Sequence, residues 1–428
     1  MIGGGLAGCW AAATAAASGA RVTLVRRALG ATATSAGPLD FVPPAEAADP
    51  AAWLARLPRT DPTHPYVASG AAPSIEELEA EAERLSLALA AAGLPVRASL
   101  RNPLLLGAIT GQVRLAGVAP ETQATGDLQR ASGRSVAVVG VAGLARFDAK
   151  AVAAALDERR LGWPAPLRAA AVTVAPELAL ITPELAADLD DATLARAIEM
   201  PGGAEALGAA IAQAIRGADL ALLPAVLGLD DPESVAARVA AAAGLPVAEL
   251  VTSPPSAPGW RLQRACDRVV ADAGVRLAAS AARTVTTVDG HATAVTVANG
   301  DMLPCDAVVL ATGKYLGGGI VADPRPREPL LDLPLFSRDT AVTRLALRDL
   351  VERARFRDQP FASLGVRTDG EGTPVDEHGR ALYGNVTACG DLLAGLDPTL
   401  SGGGLGVVAW TATRAAHTAL RQVGAAAA

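Results

Sequence analysis

The sequence of 428 residues predicts an α/β fold, with a central parallel sheet and an inserted region that is mainly helical or α+β. A glycine-rich turn, a helix and a short strand open the chain, and hairpin dipeptides and apolar strands recur after residue 255. Between them, alanine- and leucine-rich helical patterns alternate with proline-containing loops. We therefore expect a first domain built from residues 1–45 and 256–428, with residues 46–255 inserted. Residues 316–380 are a second candidate part of the inserted region.

Composition excludes several classes of protein. Hydrophobic residues make up 51% of the chain and charged residues 19%, which favours a compact globular protein over a disordered one. The sequence shows neither an apolar run of about eighteen residues nor a signal peptide, so we expect a cytoplasmic protein without a transmembrane helix. The net charge of −7, without a basic run, argues against a nucleic-acid partner. The four cysteines lack metal-binding spacing, and no metal site is predicted.

The N-terminal turn matches the pattern G-x-G-x-x-G of dinucleotide-binding folds. A helical stretch follows it as far as Ser18, Gly19 supplies the helix stop, and Arg21–Val25 reads as a strand. In such a turn the glycines allow a sharp bend and a close approach to a phosphate, while the helix N-terminus offers N–H groups and a partial positive charge. The residues predicted to contact the cofactor here are Gly3, Gly4, Gly5, Leu6, Ala7 and Gly8.

Two features depart from this pattern. Only Met1 and Ile2 precede the glycines, where a strand of about five residues is expected. We expect either that further residues precede Met1 in the complete protein, which we favour, or that other contacts replace the shortened strand. Arg26 and Arg27 stand where an acidic residue usually binds the adenosine ribose. They favour a cofactor phosphate, as in NADP or FMN, although solvated arginines would give the same pattern.

A β-ribbon and a second glycine turn are predicted further along. Asp289–Gly290 and Asn299–Gly300 are dipeptides favoured in type I′ turns, so we expect three successive strands around them, with Thr284–Val288 and Ala292–Val297 as the first two. The apolar strand Asp306–Leu310 follows. It ends in a turn at Gly313, where the lack of a side chain lets the backbone approach a ligand closely. The predicted cofactor residues in this turn are Ala311, Thr312 and Gly313.

A third turn follows the strand Tyr383–Ala388. The carboxylate of Asp391, next to Gly390, can accept a hydrogen bond from a flavin ribityl hydroxyl, or serve as an ordinary turn residue. The helix that begins near Leu405 can face the flavin pyrimidine edge with its N-terminus. The predicted cofactor residues before it are Ser401, Gly402, Gly403 and Gly404. Together the three turns predict a Rossmann-like flavin-binding domain with a β-ribbon layer.

Several stretches carry a resemblance to a known family. They are IGGGLAG at 2–8, SAGPLDF at 35–41, NPLL at 102–105, APETQATGDL at 119–128, LLPAVLGLD at 222–230, PPSAPGWRL at 254–262, LATGKYLGGGI at 310–320 and ACGDLLAGLDPTLSGGGLG at 388–406. With these, the chain resembles the B subunit of anaerobic glycerol-3-phosphate dehydrogenases, a flavoprotein family related to the succinate dehydrogenase and fumarate reductase flavoproteins. The resemblance spans nearly the whole chain.

The resemblance implies a flavin subunit, with FMN as the cofactor described for that family and FAD as the alternative. It implies two partners, an FAD-bearing A subunit and an iron–sulfur C subunit, with peripheral association at the inner face of the cell membrane through those partners. It also implies that the complex oxidises sn-glycerol 3-phosphate to dihydroxyacetone phosphate and passes electrons toward quinone.

The sequence identifies no catalytic base. A phosphate-bearing substrate requires cations, and Arg261 and Lys314 are the candidates, each of which could also have a structural role. Two alternatives therefore stay open beside the dehydrogenase. One is a non-catalytic flavin subunit for electron transfer or scaffolding, and the other is an unrelated FAD or NADPH oxidoreductase on the same fold.

Overall fold

The computed structural model divides the chain into two compact units. Unit 1 comprises Met1–Thr32, Asp40–Leu85 and Cys266–Ala428, and unit 2 comprises Ala33–Leu39 and Ser86–Ala265. The structure describes all residues except 69, 71, 132–133, 158–166, 183–188, 255, 355–356, 358, 398–403 and 428.

The helices and strands alternate along much of the chain. The described helices are α1 Leu6–Ala17, α2 Pro50–Thr60, α3 Pro65–Ala68, α4 Ile75–Ala91, α5 Glu121–Ala124, α6 Ala149–Asp157, α7 Asp191–Glu199, α8 Gly203–Ala214, α9 Pro232–Ala243, α10 Ala257–Asp272 and α11 Gly404–Ala427. The described strands are β1 Thr23–Val25, β2 Val96–Ala98, β3 Leu104–Gly107, β4 Val113–Ala116, β5 Val118–Pro120, β6 Ser135–Val141, β7 Arg168–Val174, β8 Leu220–Leu223, β9 Val247–Glu249, β10 Arg276–Ala278, β11 Ala282–Val288, β12 His291–Val297, β13 Met302–Pro304, β14 Val308–Leu310, β15 Val321–Ala322, β16 Pro326–Arg327, β17 Leu335–Ser337, β18 Thr340–Ala341, β19 Gly365–Val366 and β20 Val386–Ala388.

Unit 1 is built on a parallel sheet. Strand β1 pairs with β10, and β14 pairs with β20, both in parallel. Ile2 connects the two pairs, because it forms parallel bridges with Val25 on one side and with Leu310 on the other. The order across the sheet is therefore β10, β1, Ile2, β14, β20. This is the parallel α/β fold that the sequence predicts, with its central strand reduced to a single bridging residue.

Helix α1 packs against α11 beside this sheet. It is buried on almost every side, and alanine fills most of its positions, so a neighbouring helix can approach closely. The helix ends at Ala17, and Gly19 follows with a φ of 89°, as the predicted helix stop requires. The last helix, α11, starts within one residue of its predicted beginning.

The β-ribbon consists of β11, β12 and β13, paired antiparallel in that order. Asp289 and Gly290 both have positive φ, 49° and 76°, as a type I′ turn requires. The prediction of a second type I′ turn at Asn299–Gly300 is wrong. Of this pair only Gly300 has a positive φ, 91°, since Val297 donates to the carbonyl of Asp301 and so closes a three-residue loop.

Unit 2 contains a four-stranded parallel sheet in the order β7, β6, β8, β9. Helices α7, α8 and α9 contribute apolar side chains to one core beside this sheet, and α6 contributes to a second core. The sequence of β6 is an apolar and β-branched run typical of a strand. The other three strands carry no such signal, because β8 and β9 are very short and β7 is rich in alanine.

Residues 40–85 belong to unit 1 in the structure, whereas the sequence pattern suggested that most of them belong to the inserted region. Their aromatic side chains explain the grouping, because Tyr66 is fully buried and lies edge-on to Trp410 of α11, with ring centroids 6.2 Å apart. Residues 316–380 also fall in unit 1. Within the described residues, no helix is both long enough and apolar enough to cross a bilayer.

Candidate cofactor site

The N-terminal glycine turn is held between β1 and β14. Gly3 has a φ of 122°, and its N–H donates to the carbonyl of Val25 at 2.9 Å. A Cβ at Gly3 would lie 2.1 Å from the carbonyl oxygen of Ala311, and a Cβ at Gly8 would lie 1.8 Å from that of Gly3. Both contacts are with backbone that cannot yield. These two glycines therefore allow α1 and the start of the second predicted turn to pack directly on the first.

The N-terminus of α1 carries no side-chain cap of its own, since Gly5 occupies the cap position. The hydroxyl of Thr32 accepts a hydrogen bond from the N–H of Leu6 at 2.8 Å. No acidic residue lies in the first turn of the helix, so nothing there neutralises the partial positive charge of the helix end. Thr32 was not predicted from the sequence. It lies 26 positions after Leu6, and no local motif identifies a capping residue at such a separation.

The second turn touches the first through Ala311, whose N–H donates to the carbonyl of Ile2 at 2.8 Å. The hydroxyl oxygen of Thr312 is buried against Gly319, where a Cβ would lie 2.5 Å from it, and it has no hydrogen-bond partner among the described residues. Gly313 has a φ of 67°, and a Cβ there would meet nothing within 4 Å. The second turn therefore leaves open space at Gly313.

The third turn reaches both of the others. A Cβ on Gly390 would lie 2.6 Å from the Cβ of Ala7 in α1, and the N–H of Gly390 donates to the Thr411 hydroxyl of α11. Asp391 accepts a hydrogen bond from the ammonium of Lys314 at 3.1 Å while 27% of its side chain stays exposed. The structure thus brings together residues from all three predicted turns.

Lys314 is buried, and its ammonium also donates to the carbonyl of Leu396 at 2.6 Å. Burial lowers the pKa of this lysine, and the neighbouring Asp391 carboxylate opposes that shift. Its two partners tie the second turn to the chain that leads toward α11. Ser401, Gly402 and Gly403 lie outside the described residues, and Gly404 is the first residue of α11.

The arginines after β1 differ in their surroundings. Arg26 forms a bidentate ion pair with Asp267 of α10, and its aliphatic carbons lie over Gly4. The hydrogen bonds that Arg26 donates to Asp267 raise the pKa of the Arg26 guanidinium. Arg27 is exposed. The carboxylate of Asp267 therefore already occupies the edge of the guanidinium, with its two terminal nitrogens, through which Arg26 would bind a phosphate.

Arg261 lies in unit 2, and the other predicted site residues lie in unit 1. It is 3% exposed, donates to both carboxylate oxygens of Glu249 at 2.6 and 2.9 Å, and donates twice to the carbonyl of Gly228. These contacts brace the loop after β8 against β9. Among the described residues, no three His, Cys, Asp or Glu side chains are grouped so that they could hold a metal ion.

Comparison with known proteins places this geometry in a family. A profile of the family described as "FAD binding domain" matches residues 1–407. The B subunit of the anaerobic glycerol-3-phosphate dehydrogenase of Yersinia pestis is 30% identical, and the alignment covers 95% of this chain and 94% of that protein. The chain belongs to the family of anaerobic glycerol-3-phosphate dehydrogenase B subunits.

Other B subunits of this family match over a similar length. A probable B subunit from Halobacterium salinarum is 30% identical over 95% of this chain and 94% of its own length. The protein from Pectobacterium carotovorum is 28% identical, with 99% and 98% covered. Among solved structures, the 3-ketosteroid-delta4-(5alpha)-dehydrogenase of Rhodococcus jostii RHA1 is 12% identical over 98% of this chain and 95% of that chain, with a TM-score of 0.40, a likeness from which we infer nothing.

The cofactor of this FAD-binding-domain fold is a flavin, and the residues of this B subunit fit one. A Cβ at Gly313 would meet nothing within 4 Å, and the buried hydroxyl of Thr312 has no hydrogen-bond partner among the described residues. The carboxylate of Asp391 stays accessible beside Lys314. A ribityl chain offers hydroxyl groups that can donate to such a carboxylate. The positive end of α1 suits the phosphate group that both FMN and FAD carry.

Proposed function

We propose that this chain is the flavin subunit of an anaerobic glycerol-3-phosphate dehydrogenase, which oxidises sn-glycerol 3-phosphate to dihydroxyacetone phosphate and passes electrons toward quinone. One observation carries the proposal: in a chain of this family, the three glycine turns contact one another, and the Asp391 carboxylate at the third turn stays accessible beside Lys314. The proposal includes an FAD-bearing A subunit and an iron–sulfur C subunit as partners, which hold the complex at the inner face of the cell membrane.

In this proposal the chain's own groups bind and orient the cofactor. The N–H groups at the start of α1 bind the phosphate, and Asp391 accepts from a ribityl hydroxyl while Lys314 balances its charge. The residues Ser401–Gly404 are proposed to meet the pyrimidine edge of the ring. When bound, the flavin supplies the acceptor for the hydride that leaves the substrate carbon.

The cofactor is FMN or FAD, and Arg26 bears on the choice. Arg26 and Arg27 were predicted to favour a cofactor phosphate, as in NADP or FMN. The Arg26 guanidinium is instead paired with Asp267, which brings an acidic group to the end of β1. An acid at this position usually binds the ribose of adenosine. We propose FMN from the resemblance, and mass spectrometry of the cofactor released from the folded chain tests it, because release of FAD would overturn that choice.

The environment of Arg261 favours a second candidate function, electron transfer or scaffolding without catalysis. Glu249 and Gly228 accept hydrogen bonds from the Arg261 guanidinium within unit 2, so this arginine is not poised for a substrate phosphate. Lys314, the other predicted cation, is paired with Asp391 in the same way. In this alternative, the substrate is oxidised by the partner subunit and this chain relays the electrons.

An anaerobic titration separates the two functions. Glycerol 3-phosphate is added to the purified flavin-loaded chain without oxygen, and the visible absorption of the flavin is followed. If the chain is the dehydrogenase, the visible absorption of its flavin decreases with a saturable dependence on the substrate concentration. If the chain only relays electrons, the flavin absorption stays unchanged until the A subunit is added. The variant Asp391→Asn serves as the matched comparison, because we expect it to bind flavin at least about tenfold more weakly if the carboxylate accepts a ribityl hydroxyl.

A further inference from the structure

A cavity of about 180 Å³ lies within unit 1, apart from the contacts described above. It is large enough for a small ligand and not only for a single water molecule. One wall comes from the chain around α3, a second from the turn between β17 and β18, and a third from β19 and the residues that follow it. Leu393 and Ala394, just beyond the third glycine turn, complete it.

Arg367 is one of two cationic side chains in the cavity wall, and it is fixed in place. Its guanidinium carbon lies 4.3 Å from the centre of the Phe336 ring, a cation–π distance, and one of its terminal nitrogens donates to the carbonyl of Asp376 at 2.5 Å. Phe336 itself is almost fully buried, so the platform under the guanidinium is rigid. An arginine held this way loses little freedom when its remaining donors bind an anion.

Arg338 is the second cation, and its backbone conformation is unusual. It sits in the tight turn that joins β17 to β18, where Ser337 pairs with Thr340, and its φ is 53°. Glycine normally occupies such a position because a Cβ disfavours positive φ. A long charged side chain is therefore carried at a position that disfavours any side chain, which points to a role for the side chain itself.

The rest of the lining suits a small phosphorylated molecule. Thr368 adds a hydroxyl that can donate a hydrogen bond, whereas the hydroxyl of Thr63 already donates to Asp61 at 2.8 Å. The charged lining residues Arg338, Arg367 and Asp339 give the lining a net charge of +1. The apolar part is formed by prolines of the α3 segment and by Val366 and Leu393. A cationic end and an apolar end together favour a ligand with one anionic group and a short carbon chain.

The cavity adjoins the proposed flavin site through backbone contacts. The N–H of Leu393 donates to the carbonyl of Gly390 at 3.1 Å, and the N–H of Ala394 donates to that of Val366 at 2.9 Å. The lining residues Leu393 and Ala394 thus belong to the same short segment as Asp391. A ligand anchored in this cavity would lie against the wall that the cavity shares with the third glycine turn.

We propose that this cavity is a binding site for a small phosphate monoester, with Arg338 and Arg367 holding the phosphate. The choice of glycerol 3-phosphate as the natural ligand rests on the proposed function. The recognition of a phosphate group does not, because it follows from the two arginines and Thr368. Arg338 and Arg367 thereby take the role for which the sequence suggested Arg261 and Lys314.

Substitution of Arg338 by glycine gives a sharp test. Inorganic phosphate and glycerol 3-phosphate are titrated into the full flavin-loaded chain by calorimetry, with ionic strength held constant, and the melting temperature is recorded in parallel. Glycine relieves the positive φ, so we expect Arg338→Gly to stay folded, and the melting temperature checks this. We also expect its affinity for both ligands to fall about tenfold or more, because a charge-assisted contact is lost.

Arg348→Gln serves as the charge-matched control, because Arg348 is 88% exposed and does not line the cavity. It is expected to bind phosphate like the wild type. Wild-type chain without saturable phosphate binding, or Arg338→Gly with unchanged affinity, would overturn the proposal. Failure of the proposed function looks different, since phosphate would then bind normally while glycerol 3-phosphate leaves the flavin absorption unchanged.

Discussion

Replacement of Arg261 by methionine separates its structural role from a role in substrate binding. The side chains of Arg261 and Glu249 are 2% and 0% exposed, and they share two hydrogen bonds. Methionine keeps much of the volume but removes the charge. The Glu249 carboxylate then keeps the hydroxyl of Thr122 and the N–H of Leu227 as donors, with no cation beside it.

The magnitude follows from burial. Removing one partner of a buried ion pair typically lowers the free energy of unfolding by about 3–5 kcal/mol, because a charge is left uncompensated away from water. Here the carbonyl of Gly228 also loses both donors that Arg261 supplies, at 2.8 and 2.6 Å. We therefore expect the upper half of that range for Arg261→Met.

Urea denaturation followed by circular dichroism measures this loss, and hydrogen exchange of residues 224–231 shows whether it is local to the loop after β8. The double variant Arg261→Met with Glu249→Leu is the control. It removes both charges, so we expect it to be less destabilised than Arg261→Met alone. A loss below about 1 kcal/mol in Arg261→Met would refute the reasoning, and so would a double variant less stable than the single one.

Three further predictions follow from contacts and titration. Gly8→Ala places a Cβ 1.8 Å from a backbone oxygen, so purified protein should carry little flavin per chain, and a full flavin content would contradict the packing. Burial lowers the pKa of His64 to about 4. As the pH falls below about 6.5, His64 becomes protonated in the unfolded chain but stays neutral in the folded one. The free energy of unfolding should therefore decrease by up to about 3 kcal/mol between about pH 6.5 and 4. His64→Asn should lose less over that interval, and an equal loss would exclude His64 as the cause. Burial, with Glu121 and Glu249 nearby, raises the pKa of Glu233 to about 7 from an ordinary value of 4.5. The protonated carboxyl stabilises the folded chain below pH 4.5, and this stabilisation is lost as the pH rises through 7. Glu233→Gln should therefore become more stable relative to the wild type between about pH 5 and 8. A constant difference between the urea midpoints of the two proteins over this interval would contradict the prediction.

The fold could be predicted where its signals are local. The N-terminal turn, α1 and the first hairpin each depend on residues only a few positions apart, such as Asp289 and Gly290, whose positive φ angles the dipeptide itself favours. In the sheet of unit 2, β8 and β9 are too short for periodicity to detect, and β7 is rich in alanine. Leu220–Leu223, for example, is an apolar run that fits a helix as well as a strand until its partners are known.

The contacts of the candidate site were beyond sequence reasoning for a different reason. Arg26 and Asp267 are 241 positions apart, and Lys314 and Asp391 are 77 apart. No motif links such residues, because tertiary packing alone decides which charge an arginine or lysine meets. The sequence therefore supplied the backbone turns as candidates, and the side-chain pairings came only from the structure.

The order of strands in the central sheet has a consequence for biosynthesis. The first glycine turn spans residues 3–8, yet its neighbours are β14 and the segment after β20, hundreds of positions later in the chain. Parallel pairings across such separations form slowly. A nascent chain can therefore assemble the three turns only after Gly390 has left the ribosome. If these turns bind the flavin as proposed, fragments that stop before β20 should stay colourless.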